Sequence, residues 1–157
     1  MKTAILIGLL LLAIGWLAHD VYSVAYEKPS IFVSKERISP SDRIQDSDLL
    51  MYEDRIIIKV NDANWAKYTD TNSMDPLLDV NSVGIEVQPK SELDLQIGDV
   101  VSYQASWTDG LVCHRIIDIG YDKDGWYAIT KGDNTSVNDP NKVRFEQIKY
   151  VLVGVLY

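Results

Sequence analysis

Leu111-Val112-Cys113-His114-Arg115-Ile116-Ile117-Asp118-Ile119, then Gly120-Tyr121-Asp122-Lys123-Asp124-Gly125, then Trp126-Tyr127-Ala128-Ile129-Thr130-Lys131 reads as strand, turn and strand. β-Branched and aromatic residues fill both flanks, and the Gly- and Asp-rich centre has the turn chemistry that joins hairpin strands. The same signature recurs on either side. Upstream, Arg55 to Val60 is a β-branched run bounded by Asn61-Asp62, and a weak strand or loop holds Trp65, Ala66 and Tyr68. Ser82 to Val87 forms a run ended by Pro89, and Leu95 to Tyr103 is a turn leading into a strand. Downstream, Val143 to Phe145 and Tyr150 to Leu156 complete the set. Short strands separated by Gly, Pro and Asp turns, with no long amphipathic helix among them, predict a mainly β fold, a compact sandwich or barrel.

The length of 157 residues suits one globular core. A net charge of −8 leaves little positive charge for counterion release from a phosphate backbone, so nucleic acid is not an expected partner. Cys113 is the single cysteine, which excludes an intramolecular disulfide and any Cys-rich metal site. No metal or other cofactor is expected.

The N-terminus has a different character. Thr3 to Ala18 carries no charge and is dominated by Leu, Ile and Ala, with Lys2 before it and His19-Asp20 after it. Extended through Val21, Tyr22, Val24 and Tyr26, it reaches the ~20 residues that cross a bilayer, with the tyrosines in the headgroup zone. Residues 1–26 are therefore expected to be a membrane anchor. The alternative is a signal peptide with Ser23-Val24-Ala25 as its cleavage site. In both cases Lys2 favours a cytoplasmic N-terminus and an extracytoplasmic remainder. Residues 27–54, punctuated by Pro29 and Pro40, read as a linker or accessory segment, and 55–157 as the β-rich domain.

Chemistry concentrates in that domain. Thr71-Asn72-Ser73-Met74-Asp75-Pro76 sets a serine in a polar turn, and His114 is the only histidine beyond the apolar N-terminus. Strand alternation puts His114 on one face with Val112 and Ile116, away from Cys113 and Arg115. Lys131-Gly132-Asp133-Asn134 and Val137-Asn138-Asp139-Pro140 follow, each with an acidic residue. A nucleophilic serine needs a base, the base needs an acceptor that fixes its tautomer, and the developing oxyanion needs donors. Ser73, His114 and either Asp133 or Asp139 supply these types. Each also has an ordinary reading, as loop serine, strand histidine and Asx turn.

Taken in order from Thr71 to Asp139, Ser73-Met74-Asp75-Pro76, Ile97-Gly98-Asp99-Val100-Val101, Val112-Cys113-His114-Arg115-Ile116, Lys131-Gly132-Asp133-Asn134 and Asp139 resemble the boxes of signal peptidase I. The likeness is to the archaeal and endoplasmic-reticulum type, which uses histidine where most bacterial enzymes use lysine. The resemblance implies a signal-peptidase-like β domain behind one transmembrane helix. It implies Ser73 as nucleophile and His114 as general base, with Asp133 orienting the histidine and Asp139 assisting. Thr71 and the Ser73 N–H would stabilise the oxyanion, and Met74 would line the substrate pocket. The implied reaction is hydrolysis of preprotein signal peptides after small residues at a lipid bilayer, with the protein-export machinery as a further partner. Asn72 stands where that family usually has Gly, but Asn tolerates left-handed backbone. Ala25 to Asn72 is longer than the usual spacing between anchor and serine, and the large second domain of many bacterial enzymes is missing. Two other functions stay open: a non-catalytic anchored binding or assembly module of the same fold, and a self-processing regulatory peptidase.

Overall fold

A computed structural model describes residues 8, 12–17, 19 and 36–157. The chain divides into two compact units, Met1–Glu36 and Arg37–Tyr157. In the first, residues 12–17 are helical and exposed. Among the described residues no helix is long and apolar enough to cross a membrane. The expected anchor over 1–26 lies mostly outside the described residues.

The second unit is mainly β, built from two antiparallel sheets with only short 3₁₀ turns as helix. The strands are β1 (Leu49–Met51), β2 (Ile56–Ile58), β3 (Asn64–Lys67), β4 (Val83–Val87), β5 (Val100–Gln104), β6 (Leu111–Asp122), β7 (Gly125–Lys131) and β8 (Ile148–Leu156). β1 and β2 pair as a two-stranded ribbon, and the other six form one sheet in the order β3-β4-β8-β5-β6-β7. The last strand in sequence thus lies centrally, bonded to β4 on one side and β5 on the other.

Alternation along β5 explains why the sheet buries both faces. Val101 and Tyr103 enter a core with Leu95, Ile116, Trp126, Ala128, Val143, Ile148 and Val151. Val100, on the opposite face, packs with Met74 and Leu78, joined by Tyr68, Cys113 and Leu152. Each fully buried Val or Ile side chain contributes roughly 1.5–3 kcal/mol. The expected alternation on β6 is found as well, since Val112 and Ile116 belong to the first core and Cys113 to the second.

Four local expectations change. The hairpin turn is only Lys123-Asp124, because β6 continues through Gly120 to Asp122. Gly120 pairs with Tyr127, whose hydroxyl and ring fill the space a β-carbon on residue 120 would need, at 2.6 and 2.7 Å. The glycine serves close packing here rather than a turn. Leu49 to Met51, in the stretch expected as a linker or accessory segment, pair with the predicted strand at Ile56 to Ile58. Val143 to Phe145 is no strand. Val143 makes a single bridge to Ala128, and Phe145–Gln147 then turns as 3₁₀ helix, with the Gln147 side chain accepting the Arg144 N–H at 2.8 Å.

Residues 37–54 belong to the same compact unit as the β domain. The tie is Asp99, fully buried just before β5. Its carboxylate accepts from the Ser41 N–H at 2.7 Å, the Ser41 hydroxyl at 3.1 Å, Arg43 Nη2 at 2.8 Å and the Gln96 N–H at 3.0 Å.

Candidate active site

The serine turn follows β3. Asn72 adopts φ +57°, the left-handed region that Asn accepts more readily than most residues. Behind it the Leu77 and Leu78 N–H groups both donate to the Met74 carbonyl, at 2.9 and 3.0 Å. The loop after β7 clasps this turn from one side. Asn134 donates its N–H to the Ser73 carbonyl and its side-chain amide to the Asn72 carbonyl, both at 2.9 Å. That approach depends on Gly132, where a β-carbon would lie 2.5 Å from the Ser73 carbonyl oxygen and 3.1 Å from His114 Nε2. Any larger residue would push the loop off the serine.

His114 projects from β6 toward this turn. Ser73 Oγ lies 3.0 Å from His114 Nε2, and His114 Nδ1 lies 2.9 and 2.8 Å from the two carboxylate oxygens of Asp139. A carboxylate only accepts, so Nδ1 carries the proton and Nε2 presents its lone pair to the serine hydroxyl. Thr71 Oγ1 is 3.2 Å from Ser73 Oγ and can donate to it once the serine proton points at Nε2. The His114 and Asp139 side chains are 12% and 9% exposed, dry enough for their hydrogen bond to hold against water yet open at the serine end.

Asp139 is held below the usual carboxylate range. Burial opposes this, and the hydrogen bonds from His114 and Tyr103 outweigh it. Its own N–H donates to the Thr130 carbonyl at 2.8 Å, fixing the backbone that carries it. The carboxylate therefore stays ionised beside the imidazole.

Asp133, expected to orient His114, does something else. Arg115 grips it with two parallel bonds, Nε to Oδ1 at 2.7 Å and Nη2 to Oδ2 at 2.6 Å, while Nη1 donates to the Gly98 carbonyl at 2.7 Å. Arg115 and His114 are neighbours on β6 and point to opposite faces, so each captures its own carboxylate. The bidentate fork wins Asp133, and the chain then continues to Asp139 on the histidine side. The role of Arg115 was not read from the sequence, although an arginine beside the candidate base offered a signal. The partners Tyr103 and Thr130 carried no sequence signal of their own, and Asn134 stood in a quoted box with no role read for it.

A cavity of about 710 Å³ opens beside the serine, lined among others by Lys67, Tyr68, Thr71, Met74, Leu78 and Trp107. Met74 and Ser73 line this same cavity, and the Met74 sulfur accepts the Asp133 N–H at 3.3 Å. Cys113 is no rival nucleophile. Burial pushes its thiol up to about 12, with Glu86 adding to the effect against hydrogen bonds with Ser102 and Tyr68. A second cavity of about 420 Å³, lined by Arg43, Lys59 and Lys90 among others, shares no residue with the serine site. Among the described residues no cluster of three His, Cys, Asp or Glu could hold a metal ion.

Comparison of the chain with protein-family models, with curated proteins and with solved structures returns no match.

Proposed function

We propose that the chain is a membrane-anchored serine endopeptidase of the signal peptidase I type, acting on preproteins with a Ser73-His114-Asp139 relay. The observation that carries this reading is the unbroken run of hydrogen bonds from Ser73 Oγ through both nitrogens of His114 to Asp139. Every link falls within the 2.6–3.2 Å reach that proton transfer needs. The signal-peptidase-like form of the β fold belongs to the same proposal and rests on the sequence resemblance, while the N-terminal membrane helix and the extracytoplasmic location rest on the apolar Thr3 to Ala18 stretch and Lys2.

The chemistry follows from the atoms. Ser73 Oγ attacks the scissile carbonyl carbon while its proton passes to His114 Nε2, and Asp139 stabilises the imidazolium. The carbonyl oxygen becomes an oxyanion facing the Ser73 N–H, which makes no hydrogen bond among the described residues. The Thr71 hydroxyl, freed as Ser73 Oγ becomes an acyl ester, turns to donate there too. His114 returns the proton to the leaving amine. A water, deprotonated by the same nitrogen, then hydrolyses the acyl-serine and restores the hydroxyl. Anchoring enzyme and preprotein in one bilayer raises their effective concentration.

Ser73→Ala and His114→Ala are each expected to lower cleavage of a preprotein, in detergent or liposomes, by roughly 10⁴-fold or more with the fold retained. Undiminished cleavage in either variant would overturn the reading. The Ser73 to His114 distance also favours catalysis over a non-catalytic module of the same fold.

A further inference from the structure

Tyr103 is wholly buried on β5, on the same face as His114, whose cross-strand partner Val101 lies two residues before it. Its hydroxyl lies 2.7 Å from Asp139 Oδ2, the oxygen that also faces His114 Nδ1 at 2.8 Å. Thr130 Oγ1, equally buried on β7, donates to the Tyr103 hydroxyl at 3.2 Å. With its acceptor role filled by Thr130, the phenol has one proton left to give, and Asp139 is where it goes. Burial pushes the phenol's ionisation upward, so it remains a donor. Asp139 sits in the loop after β7, and without side-chain support its carboxylate would be free to rotate away from the imidazole.

We propose that Tyr103, backed by Thr130, is a positioning residue that aims the Asp139 carboxylate at His114 and so keeps Nε2 free for Ser73. The relay then runs through three strands, the loop after β7 and the serine turn, from Thr130 to Tyr103, Asp139, His114 and Ser73. The catalytic part of this inference rests on the proposed function; the geometric part does not.

The test is Tyr103→Phe in the full chain in detergent micelles, with His19→Gln added so that His114 is the only histidine observed. Phe keeps the buried ring and removes only the donor. The expected result is a broadened or lost downfield proton resonance of His114 Nδ1, with kcat on a preprotein lowered roughly 10- to 100-fold and KM unchanged. Thr130→Val is expected to weaken the same resonance to a smaller degree, and it decides the matter if Tyr103→Phe does not fold. A purely structural tyrosine would lower the melting temperature and leave both the resonance and kcat in place, and that outcome overturns the proposal. If the unaltered chain cleaves no preprotein, the functional reading fails while the Nδ1 resonance still decides whether Tyr103 holds Asp139.

Discussion

At the scale of single residues, the site turns on two aspartates six positions apart that meet opposite partners. Asp139 faces an imidazole and a phenol, and Asp133 faces a guanidinium. The two should fail differently when altered. Asp139→Asn retains the shape but presents an amide where Nδ1–H needs an acceptor, so kcat is expected to fall roughly 10³- to 10⁴-fold in a preprotein-cleavage assay. Asp133→Asn leaves Arg115 short of its charged partner and is expected to lower the melting temperature, with kcat held within roughly tenfold. Equal losses of kcat in the two variants would show that the assignment of Asp139 to the histidine is wrong. Asn72 adds a smaller lesson. Its residue type tolerates the left-handed conformation it adopts, and Asn134 makes two bonds to the turn that carries it.

At the scale of elements, the segment before β1 matters more than its composition suggests. Polar and punctuated by proline, it reads as a tether. Yet Ser41 and Arg43 reach the buried carboxylate of Asp99, which introduces β5, the strand that carries Tyr103. Arg43 also donates to the Asp94 carbonyl. Removing one partner from a buried, hydrogen-bonded ion pair strands the other, so Asp99→Ala is expected to cost about 3–5 kcal/mol in denaturant unfolding. A loss of less than about 1 kcal/mol, the scale of an exposed ion pair, would place this contact at the surface of the energetics. The pairing of β1 with β2 was half legible: the Ile run announced a strand, but Leu49 to Met51 offered too few residues to declare its partner. β6 and β7 were legible almost throughout, since twelve- and seven-residue strands carry enough alternation to be read.

At the scale of the molecule, β8 joins the two parts of the site. Ser73 lies between β3 and β4, whereas His114 and Asp139 come from β6 and the loop after β7. Only the insertion of β8 between β4 and β5 puts these groups in one sheet. Acid stability is a property of this whole. Against the cost of burial, Asp139 is held below its ordinary range by His114 and Tyr103, and Asp122 by hydrogen bonds from Arg144 and Lys142. A carboxylate depressed on folding contributes stability that is present above its unfolded pKa and disappears as pH falls through its folded value. The melting temperature is therefore expected to decline as pH drops below about 4, the unfolded carboxylate range. Asp139→Asn and Asp122→Asn should each flatten that decline in a calorimetric pH series, and a slope unchanged in both would contradict these assignments.

The sequence by itself determined the β character, the strands long enough to show alternation, the face on which His114 lies, and the short set of residue types able to form a serine relay. These are local properties, written in a period of two and in turn chemistry. The tertiary structure alone decided which aspartate meets the histidine, that Tyr103 stands behind it, and that the C-terminal strand joins the serine half to the histidine half. The reason is physical: Arg115 and His114 compete for two nearby carboxylates, and the outcome depends on the path of the loop from Gly132 to Asp139. That path is set by the serine turn it packs against, far away in sequence, so no local pattern encodes it.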